Sequence, residues 1–251
     1  MTNGFKDHFS AVATHYLHHR PAYPSALFDW LANQCEAHDL AWDCGAGSGQ
    51  AAIELGRLFK CVLATDASAA QIAQAVWHPR VTYRQAQADG SGLDDRSVDL
   101  VVVAQALHWF ALEPFYAEVR RVLKPAGLLA VWSYGVLHVA DDAVDALVQR
   151  FYQNDVGPYW PSERRHVENG YRELAFPFCP VATPAFTMNV CWTLSQLLGY
   201  FRSWSATARY IQARGCDPVG LLEPHLRASW GDAEQPRTVA WPLALRVGRL
   251  A

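Results

Sequence analysis

The residues best placed to do chemistry are Asp43-Cys44-Gly45-Ala46-Gly47-Ser48-Gly49, which follow a short apolar run and precede a helical pattern. Alternating glycines let a chain turn tightly and bring backbone N–H groups against a ligand without a Cβ in the way. Such a turn says little alone, because dinucleotide sites also use one. Its partner says more. Asp66 ends the next apolar run, 21 positions after Gly45, where an acidic side chain can accept both ribose hydroxyls of an adenosine. The pair predicts an adenosine-containing ligand, against the plainer reading of a turn followed by a solvated aspartate.

NAD and S-adenosylmethionine both satisfy that pair. A dinucleotide fingerprint is G-x-G-x-x-G, its third glycine opening the helix towards a pyrophosphate. Here the spacing is G-x-G-x-G, and Asp43 stands two residues before the first glycine. S-adenosylmethionine lacks phosphate but carries an ammonium and a sulfonium that a nearby carboxylate favours. The spacing and the extra acid favour the methyl donor.

His108 and Trp109 follow the fourth apolar run directly, where ligands of parallel α/β folds bind. With an ordinary pKa near ~6.5, His108 is a candidate to deprotonate an acceptor hydroxyl or amine, or to hydrogen-bond its carboxylate. It could equally do no more than shape the pocket. Of the ten tryptophans most should pack a core, and a minority should wall an apolar pocket for a small organic acceptor. The candidate wall is Tyr16, His108, Trp109 and Trp204, with Arg202 or Arg209 as partner for an acceptor carboxylate.

These residues need elements to hold them. Apolar runs at 40–44, 61–65, 81–85, 98–104 and 127–132 alternate with helical patterns, the rhythm of βα units on a parallel sheet. The run 98–104 is apolar on both faces except Asp99, as suits a strand covered on each side. Ala52, Leu55 and Phe59 recur at helical spacing, and Ser68 is placed to cap a helix carrying Ile72, Ala73 and Val76. Pro114 opens a helix that buries Phe115, Val119 and Val122, and Lys124, Pro125 and Gly127 end it. After Ser133 the rhythm changes to a helix at 141–152, a proline- and aromatic-rich stretch at 157–184, and strands at 184–192 and 238–248 with three helices between them. Pro242 marks the last strand as an edge or a bulge. The expectation is one α/β domain over 1–251, with a doubly wound, mostly parallel seven-stranded sheet and an antiparallel edge strand. Its donor-binding core spans 36–135, and 136–251 holds a helical lid insertion and the last two strands.

A chain of 251 residues, half of them hydrophobic, suffices for one large core, and a net charge of −3 without a basic run argues against nucleic acid. No Asp/Asn-Pro-Pro-Tyr/Phe/Trp run for methylating a base is present. No apolar stretch suits a secretory signal or a membrane span, so a cytoplasmic protein is expected. Six scattered cysteines read as buried small hydrophobes, and neither they nor the ten histidines show metal spacing, so no metal is expected. The partner expected is a small-molecule acceptor, and the protein a monomer or homodimer.

The runs LAWDCGAGSGQAA, TDAS, SVDLVVVAQALHW and RVLKPAGLLAVW resemble, in order and spacing, the successive motifs of class I S-adenosylmethionine-dependent methyltransferases. HYLHHRPAYP, ALHWF, LLGYFRSWSA and WPLALRVGR resemble the branch that includes trans-aconitate methyltransferases. The resemblance implies that Gly45, Ala46 and Gly47 line the methionine part of the donor, with Asp43 beside them, that Asp66 binds the ribose, and that Ala67 lies by the adenine. Gln87 stands where the family commonly has an Asp, before Ala88 and Asp89, so the adenine amino group would meet Gln87 or Asp89. Arg20 resembles the segment that closes over the donor and could pair with its carboxylate. Gln105 joins the donor-binding set. An NAD-dependent oxidoreductase remains an alternative, disfavoured by the glycine spacing and the lack of a Tyr-x-x-x-Lys pair. So does a catalytically silent donor-binding protein, for which Gln87 is the only support.

Overall fold

Val98–Ala104 is a strand in which Leu100 and Val102 enter one apolar layer and Val101 and Val103 the other. This double burial is what a central parallel strand requires. The computed structural model describes residues 21–250, so Tyr16 and Arg20 lie outside the described residues. In chain order the first part comprises α1 (Ser25–Asn33), β1 (Leu40–Cys44), α2 (Gln50–Leu58), β2 (Cys61–Asp66), α3 (Ala69–Ile72), β3 (Val81–Gln85), β4 (Val98–Ala104), α4 (Leu112–Val122) and β5 (Leu123–Tyr134). The remainder comprises β6 (His138–Val139), α5 (Asp142–Arg150), α6 (Arg164–Glu168), β7 (Cys179–Val181), β8 (Thr187–Trp192), α7 (Leu194–Arg202), α8 (Ser205–Arg214), α9 (Pro218–Trp230) and β9 (Arg237–Arg249).

Strands β1 to β5 are parallel in the order β3-β2-β1-β4-β5, and β9 joins β5 antiparallel. The order reverses between β1 and β4, so a crevice opens outside their carboxyl ends. α1 and α2 cover one face with Leu27, Phe28, Leu31, Ala52 and Leu55, and α4 covers the other with Phe115, Val119 and Val122. The polar exception in β4 is satisfied: Asp99 Oδ2 accepts from the Asp39 and Leu40 N–H groups at 2.8 and 3.0 Å, and Oδ1 pairs with Lys124 at 2.7 Å.

The expected architecture is present with more strands than the seven foreseen, because β9 carries several partners. It pairs with β5 and β6 along one edge and with β7 and β8 along the other. β6 and β7, of two and three residues, are too short to show a period-2 pattern. Pro242 is therefore not on an edge strand. The Leu243 N–H donates to Phe186 O on the β8 side at 2.9 Å, so alternation turns the Pro242 nitrogen to the other edge. There β5 stops at Leu243 and β6 begins at Ala240, so no N–H is needed.

Two further expectations are corrected. Ser68 does cap a helix, accepting from the Gln71 N–H at 3.4 Å, but α3 has one turn, buries none of its residues, and leaves Val76 56% exposed. Only Cys44 is buried and Cys35 partly so; Cys61, Cys179, Cys191 and Cys216 are exposed, at strand starts, an outward strand position and a loop. Among the described residues no cluster could hold a metal ion, and no helix is long and apolar enough to cross a membrane.

Candidate active site

The loop after β1 is pinned to the end of β2. Gly45 and Ala46 donate their N–H groups to Thr65 O at 2.8 and 2.9 Å. Gly45, with φ +74°, packs against the turn after β4, where an added Cβ would come within 2.6 Å of Ala106 Cβ. Gly47 differs. At φ +57° its absent Cβ would meet, among the described residues, only Gln71 Oε1 at 3.7 Å, so they leave space for an approaching molecule on this side of the loop.

Two carboxylates flank the loop. Asp66 accepts from the Gly47 N–H through Oδ2 at 2.9 Å and from the Ser68 N–H through Oδ1 at 2.8 Å, so it joins the glycine turn to the start of α3. Asp43 is fully buried, and among the described residues no hydrogen bond of normal geometry reaches either oxygen. Burial, then the charge of Asp66, pushes its carboxyl up to about 7, and the nearby Ala52 N–H pulls it back in part. A buried acid with orphaned oxygens beside an open glycine turn fits a cationic ligand.

After β3 the chain turns beside the end of β2, Ala86 donating to Asp66 O at 3.0 Å. Gln87 and Asp89 are exposed in this turn and Ala88 is half-buried between them. The Ala67 carbonyl accepts from Gln85 Nε2 at 3.0 Å, a partner that sequence reasoning missed. Gln105, closing β4, adopts φ +59°. Its amide exchanges hydrogen bonds with the Tyr134 backbone, donating to O at 2.9 Å and accepting from N–H at 3.2 Å. The side chain thus ties β4 to β5, and a contact from this residue to a cofactor would come from its backbone.

His108 lies in a 3-10 turn, Leu107–Trp109, with its ring 4.6 Å from that of Trp109 and Nδ1 3.0 Å from the Tyr171 hydroxyl. Burial first, then the charges of Arg164 and His166, push it down to about 3. It is a neutral imidazole at physiological pH and a weak base. Tyr171 is itself buried at φ +61°, and Arg246 caps its carbonyl. Trp204 is a core residue, its ring within 6.0 Å of Phe151, Tyr152, Trp160, Tyr200 and Phe201. Arg202 pairs with Asp217 at 3.2 Å and Glu223 at 3.5 Å on the surface, which removes it as partner for an acceptor carboxylate. Arg209 is half-buried on α8.

The structure thus brings together the glycine turn, Asp66, the 87–89 turn and residues 105–109 at the carboxyl ends of β1 to β4. It adds a group the sequence reading missed. Arg164 donates through Nε to the Tyr152 hydroxyl at 2.8 Å, which donates to Glu168 at 2.6 Å, and the guanidinium lies 4.7 Å from the Trp160 ring centre. The signal available was the dense aromatic stretch at 157–184, which does not say which charged residue faces inward.

A family described as a methyltransferase domain matches residues 42–131. A methyltransferase of Dictyostelium discoideum is 35% identical over 88% of this chain and 86% of its own length. The methyltransferase cfoB of Aspergillus candidus is 29% identical over 88% of this chain and 78% of its own. Among solved structures, a type II methyltransferase from Anaeromyxobacter dehalogenans is 46% identical, covers 92% of this chain and 97% of its own, and superposes with a TM-score of 0.88.

Proposed function

The chain belongs to the class I S-adenosylmethionine-dependent methyltransferases, and from that premise we propose that its acceptor is a small molecule bearing a carboxylate or hydroxyl. Membership retires the oxidoreductase alternative. When bound, the donor supplies a methyl group activated by its sulfonium sulfur. Gly45, Ala46 and Gly47 would line its methionine part, Asp66 would accept the ribose hydroxyls, and the turn of Gln87, Ala88 and Asp89 with Ala67 would meet the adenine. Asp43, buried with neither oxygen in a hydrogen bond of normal geometry among the described residues, would face the positive end. Positioning of this kind can supply on the order of 7 to 11 kcal/mol, so no nucleophilic side chain is needed.

The observation that carries the small-acceptor reading is the polar group of His108, Tyr171 and Arg164, drawn from the β4 turn and the 157–184 stretch and backed by Trp160 and Trp204. A net charge of −3 without a basic run speaks against a nucleic-acid polymer. His108, weakly basic, is better suited to orient an acceptor oxygen than to take its proton. Labelled donor offered to carboxylic acids, phenols, amines, peptides and oligonucleotides tests the reading. Turnover confined to one class of small acid or hydroxyl compound is expected, and turnover on a polymer alone would defeat it.

A further inference from the structure

Resting on that reading of the site, we propose that the guanidinium of Arg164 is the anchor for a carboxylate on the acceptor, which makes the substrate a small organic acid. Arg164 opens α6, which packs against both the turn carrying His108 and strand β5. Its Nε is engaged by the Tyr152 hydroxyl, and the guanidinium stacks on the rings of Trp160 and Tyr152, 4.7 and 5.6 Å from their centres. The side chain is therefore held in one orientation before anything binds. None of the ion pairs among the described residues includes it, and none of their hydrogen bonds engages Nη1 or Nη2. Those two nitrogens form the end-on fork that a carboxylate accepts bidentately.

The surroundings point the same way. Glu168 reaches Arg164 only through the Tyr152 hydroxyl, so it fixes the arginine without occupying the fork. Trp160 Nε1 and His166 Nδ1, on either side of Arg164 in the chain, are buried and carry no hydrogen bond among the described residues. The positive charge acts inward, on His108, Tyr152 and Tyr171. A positive charge held in a half-buried, aromatic-walled place is least costly when an anion completes it. The donor's own carboxylate would lie with the glycine turn after β1, whereas the helix of Arg164 packs on β5 and the turn after β4.

The test is titration calorimetry on protein saturated with S-adenosylhomocysteine, using phenylacetate, indole-3-acetate and succinate, each against its neutral amide. At least one acid should bind, with its amide roughly tenfold weaker or worse. Arg164→Gln should lose the acid by roughly tenfold or more while keeping wild-type affinity for S-adenosylhomocysteine. Arg164→Lys should recover part of the loss, since an ammonium supplies the charge without the fork. Trp160→Phe, which keeps the stacking ring, should weaken the acid more modestly and guards against misfolding of the arginine variants. Equal binding of acid and amide, an unaffected Arg164→Gln protein, or no binding by any acid to donor-loaded protein overturns the proposal. So does a loss of S-adenosylhomocysteine affinity in Arg164→Gln, which would assign the fork to the donor. Failure of the wild type to bind S-adenosylhomocysteine is a separate outcome that sinks the underlying reading of the site.

Discussion

Asp66 holds the Gly47 and Ser68 N–H groups, a role not visible in its spacing, beside the ribose contact proposed for it, so Asp66→Ala should weaken S-adenosylhomocysteine binding and also destabilise the empty protein, by about 1 to 3 kcal/mol. Calorimetry and urea unfolding report the two effects; an unchanged affinity would refute the ribose assignment. Asp43 behaves oppositely. Its carboxyl is raised to about 7 in the folded chain against an ordinary 3.8, so the folded state holds the extra proton between those values and stability falls as pH rises from 4 to 7. Asp43→Asn should flatten that slope and raise the melting temperature at pH 8. A cationic donor favours the ionised carboxylate, so affinity for S-adenosylmethionine should rise between pH 6 and pH 8 in the wild type and not in the variant. His108, held down near 3, is already neutral from pH 5 upward. Its titration should leave no limb in kcat between pH 5.5 and 8, and His108→Gln should keep the same profile; a limb near 6.5 that this variant abolishes would restore the histidine as base.

At the scale of elements, the two loop glycines should separate folding from binding. Gly45→Ala drives a methyl into Ala106 and should lower stability whether or not donor is present. Gly47→Val meets no close contact among the described residues at φ +57°, a left-handed backbone that costs about 1 to 2 kcal/mol for a side chain, and should lose donor binding out of proportion to its melting temperature. Equal effects of both variants on folding and on affinity would contradict this division. The sequence made β1 and β4 legible to the residue, because covered parallel strands must be apolar runs and turn residues bound them; β3 was bounded equally well although it is an outer strand with no buried residue. It overstated α3, since Ile72, Ala73 and Val76 have helical spacing but no layer to pack on. It missed β6 and β7 through brevity. Arg164, like the left-handed Gln105 and Tyr171, carries no periodic signature; such residues become readable only when distant segments meet.

Across the whole molecule, the segment after β5 is bound to the sheet of β1 to β5 by β9 and by a continuous aromatic core. Trp241, from β9, meets Trp192 and Tyr200, and Trp132, from β5, meets Tyr23 and Phe28. Cover and core should therefore unfold together. Thermal unfolding should show one transition by near- and far-ultraviolet dichroism alike, and limited proteolysis should not release 136–236 as a separable piece. Two resolved transitions would show that the cover is an independent unit.

The position of β9 in the chain also bears on synthesis. Strands β1 to β5 can pair as they emerge from the ribosome, but β9 follows every strand it joins. Until it is made, β5 presents its outer edge unpaired, from Leu128 to Tyr134, and β6, β7 and β8 have nothing to add to. An open apolar edge is a template for joining other chains. The nascent protein thus passes through a stage in which the sheet of β1 to β5 is built, the strands that join β9 are not, and the seam between them is the surface most in need of a chaperone.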